Sequence, residues 1–198
     1  MARNNRTARQ LRPLHLFICE DSKSSKFYML GLGKEYNLNI KAENAHGTSP
    51  ENILEMAEEK KSLFRNKEIE SNIYCLFDKD DCADDKFNKV IAACKKKGIT
   101  AAISVPCYEY WLLLHLKKTS QSFNDSQECC SAFASEYNKK FHKNYSVKQL
   151  KAREEIFNDI KDNLHSAIKN AEELKLKENE NPYTNMHEVI KEMLDTNP

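Results

Sequence analysis

Glycine is scarce in this chain: four residues among 198, at positions 31, 33, 47 and 98. With so few, neither a phosphate-cradling P-loop nor a dinucleotide-binding glycine fingerprint is spelled. No run of about eighteen apolar residues occurs, which excludes a membrane-spanning helix by length. The opening Met1-Ala2-Arg3-Asn4-Asn5-Arg6 lacks the apolar stretch of a secretory signal, so a cytoplasmic location is expected. Seven cysteines are present, but the number is odd, no Cys-x-x-Cys occurs, and Cys129 and Cys130 are simply adjacent. Reduced thiols are expected, and zinc is not, because no paired Cys/His spacing repeats. Charge of one sign is lacking too: 31 basic residues against 30 acidic ones leave a net +1, which announces no strong affinity for nucleic acid. Neither an internal repeat nor a low-complexity segment is evident. At 40% hydrophobic and 31% charged, the composition is that of a globular chain.

What the sequence does have is acid at the ends of apolar runs. Ile73-Tyr74-Cys75-Leu76-Phe77 is short, β-branched and aromatic, and stops at Asp78-Lys79-Asp80. It reads as a buried strand delivering carboxylates to the edge of a sheet. Asp78 and Asp80 project to one side of an extended backbone, where they repel unless protons or a cation intervene. Oxygen-rich sites of this kind suit Mg²⁺ or Mn²⁺. Leu14-His15-Leu16-Phe17-Ile18-Cys19 ends the same way, at Glu20-Asp21, which suggests one shared site. The plainer alternative is that the acids only solubilise strand ends.

The elements alternate. After the first strand, Lys26–Leu32 reads as a short helix closed by Gly31 and Gly33, and Asn37–Ala42 as a second strand. Ser49 and Pro50 open an amphipathic helix running to about Arg65. The Ile73–Phe77 strand follows, then a helix carrying Phe87, Val90, Ile91 and Cys94, closed by Gly98, then the run Ile99–Val105. Strand and helix in alternation with short connections predict a parallel α/β sheet, whose ligands sit at the carboxyl ends of its strands.

Pro106 stops the last of these runs, and Tyr108–Leu116 predicts a helix apolar around most of its circumference, hence buried. Glu109 in its first turn is either a dipole complement or a further carboxylate for the metal site. His115, about 240° further around the helix, cannot share Glu109's face, and a buried structural histidine is the reading preferred for it. From Thr119 onward the segments 127–142, 147–150 and 152–173 carry mixed charge and sparse apolar residues, as a helical elaboration would. Thr184 or Asn185 caps a last helix through Val189, Ile190 and Leu194. The expected division is therefore a basic arm (1–13), an α/β domain (14–118) and a helical C-terminal elaboration (119–198). In the arm, Arg3, Arg6, Arg9 and Arg12 recur every third residue with no acid before Glu20, an arrangement suited to phosphates or to a frayed, solvated terminus.

Four segments together resemble the RloB-like family, whose relatives include the AbiLii abortive-infection protein. They are Ile18-Cys19-Glu20, Leu76-Phe77-Asp78-Lys79-Asp80, the stretch from Pro106-Cys107-Tyr108-Glu109-Tyr110-Trp111 to His115, and Asn181-Pro182-Tyr183-Thr184-Asn185. The resemblance implies a Toprim-like fold, a small parallel sheet flanked by helices. It also implies a metal-dependent nuclease or phosphotransfer site in which Glu20 matches the glutamate after the first strand, and Asp78 and Asp80 the DxD pair. Such proteins are typically encoded beside an AAA- or ABC-type ATPase and act in phage defence; related effectors attack RNA, including tRNA. The family usually follows its first glutamate with glycine and Lys-Thr-Glu; here Asp21-Ser22-Lys23-Ser24-Ser25 stands instead.

The expectation is thus Mg²⁺- or Mn²⁺-dependent cleavage of RNA or DNA. Glu20, Asp78 and Asp80 would be metal ligands, Glu109 a fourth acid, and Glu20 alternatively a general acid/base. Lys23 and Lys26, with the arginine arm and His115, are the candidates for contacting substrate. The rivals are a non-catalytic module that binds a partner ATPase and a metal-dependent phosphatase of small substrates. The oligomeric state is left open.

Overall fold

The run Leu14–Cys19 is apolar on both sides of an extended backbone, as a strand covered on both faces requires. It forms β1 (Leu14–Cys19), buried along its whole length. The computed structural model describes residues 12–20, 23–47, 49–79, 82–178 and 180–195. Beside β1 run β2 (Asn39–Asn44) and β3 (Ser71–Asp78), then β4 (Thr100–Val105) and the two-residue β5 (Tyr183–Thr184), in the order β2-β1-β3-β4-β5. The first four strands are parallel and β5 is antiparallel to β4. The protein is therefore a mixed α/β fold, a mostly parallel sheet flanked by helices. Among the described residues no helix is long and apolar enough to cross a membrane.

Strand alternation sorts the side chains into two cores. Leu16, Ile18, Ile73, Cys75, Phe77 and Ile103 face α2 (Pro50–Asn66) and α3 (Asp84–Lys96). Phe17, Cys19, Tyr74, Leu76 and Ala102 face α1 (Lys23–Glu35) and the short α4 (Glu109–Leu114), which is buried at every residue. The same core takes in α5 (Ser126–Phe141), α6 (Val147–Lys151), α7 (Ile156–Ile160), α8 (Leu164–Leu174) and α9 (Met186–Asp195) through Phe133, Leu150, Phe157, Leu164 and Ile190.

The helix starts follow their capping chemistry. Ser49 accepts from the Asn52 amide with Pro50 at the first helical position, Asp125 accepts from the Glu128 amide, and Ser146 with Gln149 makes a reciprocal capping box. Three expectations shift. Gly31 and Gly33 do not close a short helix but lie inside α1, where a Cβ on Gly31 would stand 2.6 Å from Phe157 Cβ and one on Gly33 would stand 3.0 Å from Ile40 Cβ. They are there for close approach. The second strand begins two residues late, because Asn37 turns through a left-handed conformation (φ 55°). And Thr184, expected as one of two candidate caps of the last helix, lies with Tyr183 in a strand while its Oγ1 still accepts from the Met186 amide.

Candidate functional site

β1 leads into α1 on one face of the sheet, whereas its neighbour β3 leads into α3 on the other. The chain thus diverges between two adjacent parallel strands, and the crevice outside their carboxyl ends is where sheets of this kind take ligands. Glu20 follows β1 directly and Asp78 is the last residue of β3. The pairing of Cys19 with Leu76 sets Glu20 abreast of Phe77, one residue short of Asp78, on strands about 4.8 Å apart. Both acids are half-buried. Of the expected trio, Glu20 and Asp78 are brought to neighbouring strand ends; Asp80 lies outside the described residues, as do Asp21 and the arginines at 3, 6 and 9. Arg12 is described, and its guanidinium donates to the Asn37 carbonyl.

The surroundings of these acids are charged and partly buried. Burial pushes the Cys19 thiol up to about 12, with Asp78 adding to the shift and a hydrogen bond to Ser25 and the Lys26 charge opposing it. Asp78 and Lys26 therefore act on the same buried thiol with opposite sign. Lys26 is half-buried on α1, one turn beyond the exposed Lys23. Lys79 turns away into an ion pair with Asp84 at 2.7 Å, as strand alternation predicts. The hydroxyl of Tyr108 is buried and has no hydrogen-bond partner among the described residues. Burial first, then Tyr28, Cys19, Glu109 and Asp78, hold that phenol well above its ordinary value. Orphaned buried hydroxyls are rare.

Glu109 opens α4 with 2% of its surface exposed. Ser24 donates to its Oε1 at 2.8 Å, and Lys151 Nζ lies 3.8 Å from Oε2. His115 is held on both ring nitrogens inside the core. Nδ1 lies 3.0 Å from the Trp111 carbonyl, which only accepts, so Nδ1 carries the proton and Nε2 accepts from the Tyr28 hydroxyl at 3.0 Å. Burial lowers its pKa to about 3 against the pull of the Trp111 carbonyl, so the ring is neutral.

A family model for RloB-like proteins matches residues 15–193. The chain belongs to the RloB-like family. No curated protein and no solved structure matches it. Membership is consistent with a defence-associated protein, and the fold shows what two of the RloB-like segments do. Asn181 accepts from the Phe123 amide and donates to its carbonyl. Thr184 reaches Ser104 Oγ and the Ile103 carbonyl, and Asn185 accepts from the Ile103 amide and donates to the Ala101 carbonyl. The C-terminal segment is thereby fastened to the edge of β4. Pro106–His115 runs from the end of that strand into the core on the α1 side of the sheet.

One grouping in this RloB-like protein was not anticipated from cysteine spacing. Cys107 and Cys130 stand 23 residues apart, yet their sulfurs are 3.8 Å apart. With Glu109 they offer three buried ligand atoms within 4.8 Å of one another, a set that could hold a metal ion. The only signals in the sequence were Cys107-x-Glu109 and the Cys129-Cys130 pair, neither of which has recognisable metal-ligand spacing.

Proposed function

We propose that the protein is a Mg²⁺- or Mn²⁺-dependent nuclease acting on RNA, tRNA included, or on DNA, as the toxic effector of a phage-defence system with a partner ATPase. The observation that carries the reading is the placement of Glu20 and Asp78 at the carboxyl ends of adjacent parallel strands, where the chain diverges to opposite faces. The donors fit a hard cation: carboxylate oxygens, with the orphan Tyr108 hydroxyl within electrostatic reach of Asp78. Asp78 and Glu20 would hold the ion together with Asp80. Bound there, it would polarise a phosphoryl oxygen and offset charge on the leaving oxygen. Glu20 alternatively carries the proton at the 3′ oxygen, and Lys26, half-buried on α1, would oppose the charge of the phosphate. Glu109 is the fourth acid of the reading. A net charge of +1 favours a second reading, a non-catalytic module that docks on the ATPase.

The test is incubation of the purified chain with Mn²⁺ or Mg²⁺ and either tRNA or DNA. Asp78→Asn is expected to lower cleavage by at least about 10²-fold, the scale of losing one preorganised charge-stabilising group, with the thermal midpoint unchanged or raised. An Asp78→Asn protein that cleaves normally, or that fails to fold, refutes this assignment. Stable co-purification with the ATPase and no cleavage by either protein establishes the docking module instead.

A further inference from the structure

At the junction of β4, α4 and α5, two sulfurs without a role in the reaction just described converge on the Glu109 carboxylate. Cys107 lies in the turn after β4, Glu109 opens α4, and Cys130 stands in α5; all three are buried. The sulfurs of Cys107 and Cys130 are 3.8 Å apart. Two thiolates on one tetrahedral zinc, each bound at about 2.3 Å, stand about 3.8 Å apart. A disulfide would require the same sulfurs to close to about 2.05 Å. Glu109 is already oriented, since Ser24 donates to Oε1 at 2.8 Å and Lys151 Nζ stands 3.8 Å from Oε2.

We propose that Cys107, Glu109 and Cys130 form a second, buried site for one divalent cation of the zinc class, distinct from the magnesium-type edge at Glu20 and Asp78. The charge balances. Two thiolates and a carboxylate around a divalent ion leave one negative charge, and Lys151, whose ammonium stands 3.8 Å from Glu109, offsets it. A cysteine ligates a metal as its thiolate, not as its thiol. Metal uptake therefore releases two thiol protons to solvent for each ion bound, and apparent affinity rises with pH. Soft thiolates select zinc over magnesium, so the two sites take different metals. The site pins the turn after β4 to α5 and anchors the base of Glu109.

Cobalt is the probe. The full chain, kept reduced with a non-chelating phosphine, is titrated with Co²⁺ and followed for thiolate-to-cobalt charge transfer in the near ultraviolet. The expected result is one equivalent bound with that band, bleached by Zn²⁺, stronger at higher pH, and retained in Asp78→Asn. Cys130→Ser and Cys107→Ser should each weaken or abolish the band, and Glu109→Gln should lower the affinity by at least about 10-fold, the scale of a disturbed metal site. No band in the reduced wild-type chain overturns the proposal, whatever the variants do. So does a band that survives both cysteine variants, a band lost in Asp78→Asn, or an unchanged affinity in Glu109→Gln. A chain that gives no cobalt band when reduced, yet loses two of its seven thiols in air, identifies a redox pair instead.

Discussion

At the scale of single residues, His115 carries the clearest pH signature. Its pKa falls from an ordinary 6.5 to about 3, because burial excludes the charged form. Between those values the unfolded chain binds a proton that the native chain refuses. The stability His115 contributes is therefore complete above about 6.5 and is lost as pH falls toward 3, at up to about 1.4 kcal/mol per pH unit. His115→Gln should flatten this dependence. Urea midpoints at neutral and mildly acidic pH, compared between the two proteins, isolate the term from the carboxylates they share. A variant as acid-sensitive as the parent would dismiss it. Glu20 and Asp78 were legible in the sequence because each acid ends an apolar run, and such runs become adjacent buried strands. The buried Glu109 was legible as an exception within an apolar helix. The Tyr108 hydroxyl and the Cys107–Cys130 contact were not, since both depend on how α4 meets the elements around it, which no linear spacing encodes.

At the scale of elements, α1 shows two preferences in opposition. Alanine favours a helix interior over glycine by about 1 kcal/mol. Yet a Cβ on Gly31 would stand 2.6 Å from Phe157 Cβ, an atom next to the α7 backbone that cannot swing aside. Contact should prevail. Gly31→Ala is expected to destabilise by about 1–3 kcal/mol, the cost of overpacking, with Phe157→Ala in the same chain relieving the ring contacts at 3.0 Å but not the Cβ contact. A double-mutant cycle of denaturation energies measures the coupling, and additivity would show that α1 and α7 adjust freely. The same opposition explains why the sequence reading ended this helix early: glycine signals a stop locally, and only the distant partner shows that it serves as a clearance. β1, β3 and β4 were legible because uninterrupted apolar runs leave one way to bury both faces. β5 was not, because two residues carry no period.

At the scale of the whole molecule, the C-terminal segment completes the sheet. Asn185 serves the Ile103 amide and the Ala101 carbonyl as a neighbouring strand would. Asn185→Ala should leave both without these partners, at a cost of about 1–3 kcal/mol. Amide exchange at Ile103 should quicken more than exchange in β1, and equal acceleration throughout would point to global loosening instead. The core on the α1 side draws on residues from Phe17 to Met193, so the α/β part and the helices after residue 118 share one interior.

That shared interior has a consequence for biosynthesis. A ribosome delivers β1 through β4 first, and with α2 and α3 they can seal one side of the sheet. The other side, with Phe17, Tyr74 and Leu76, has only α1 and α4 over it until α5 through α9 follow, and β4 keeps an open edge until Tyr183 and Thr184 emerge. A nascent chain stalled in that interval presents a greasy surface and an unpaired strand together, the two features that invite chaperones and misassembly.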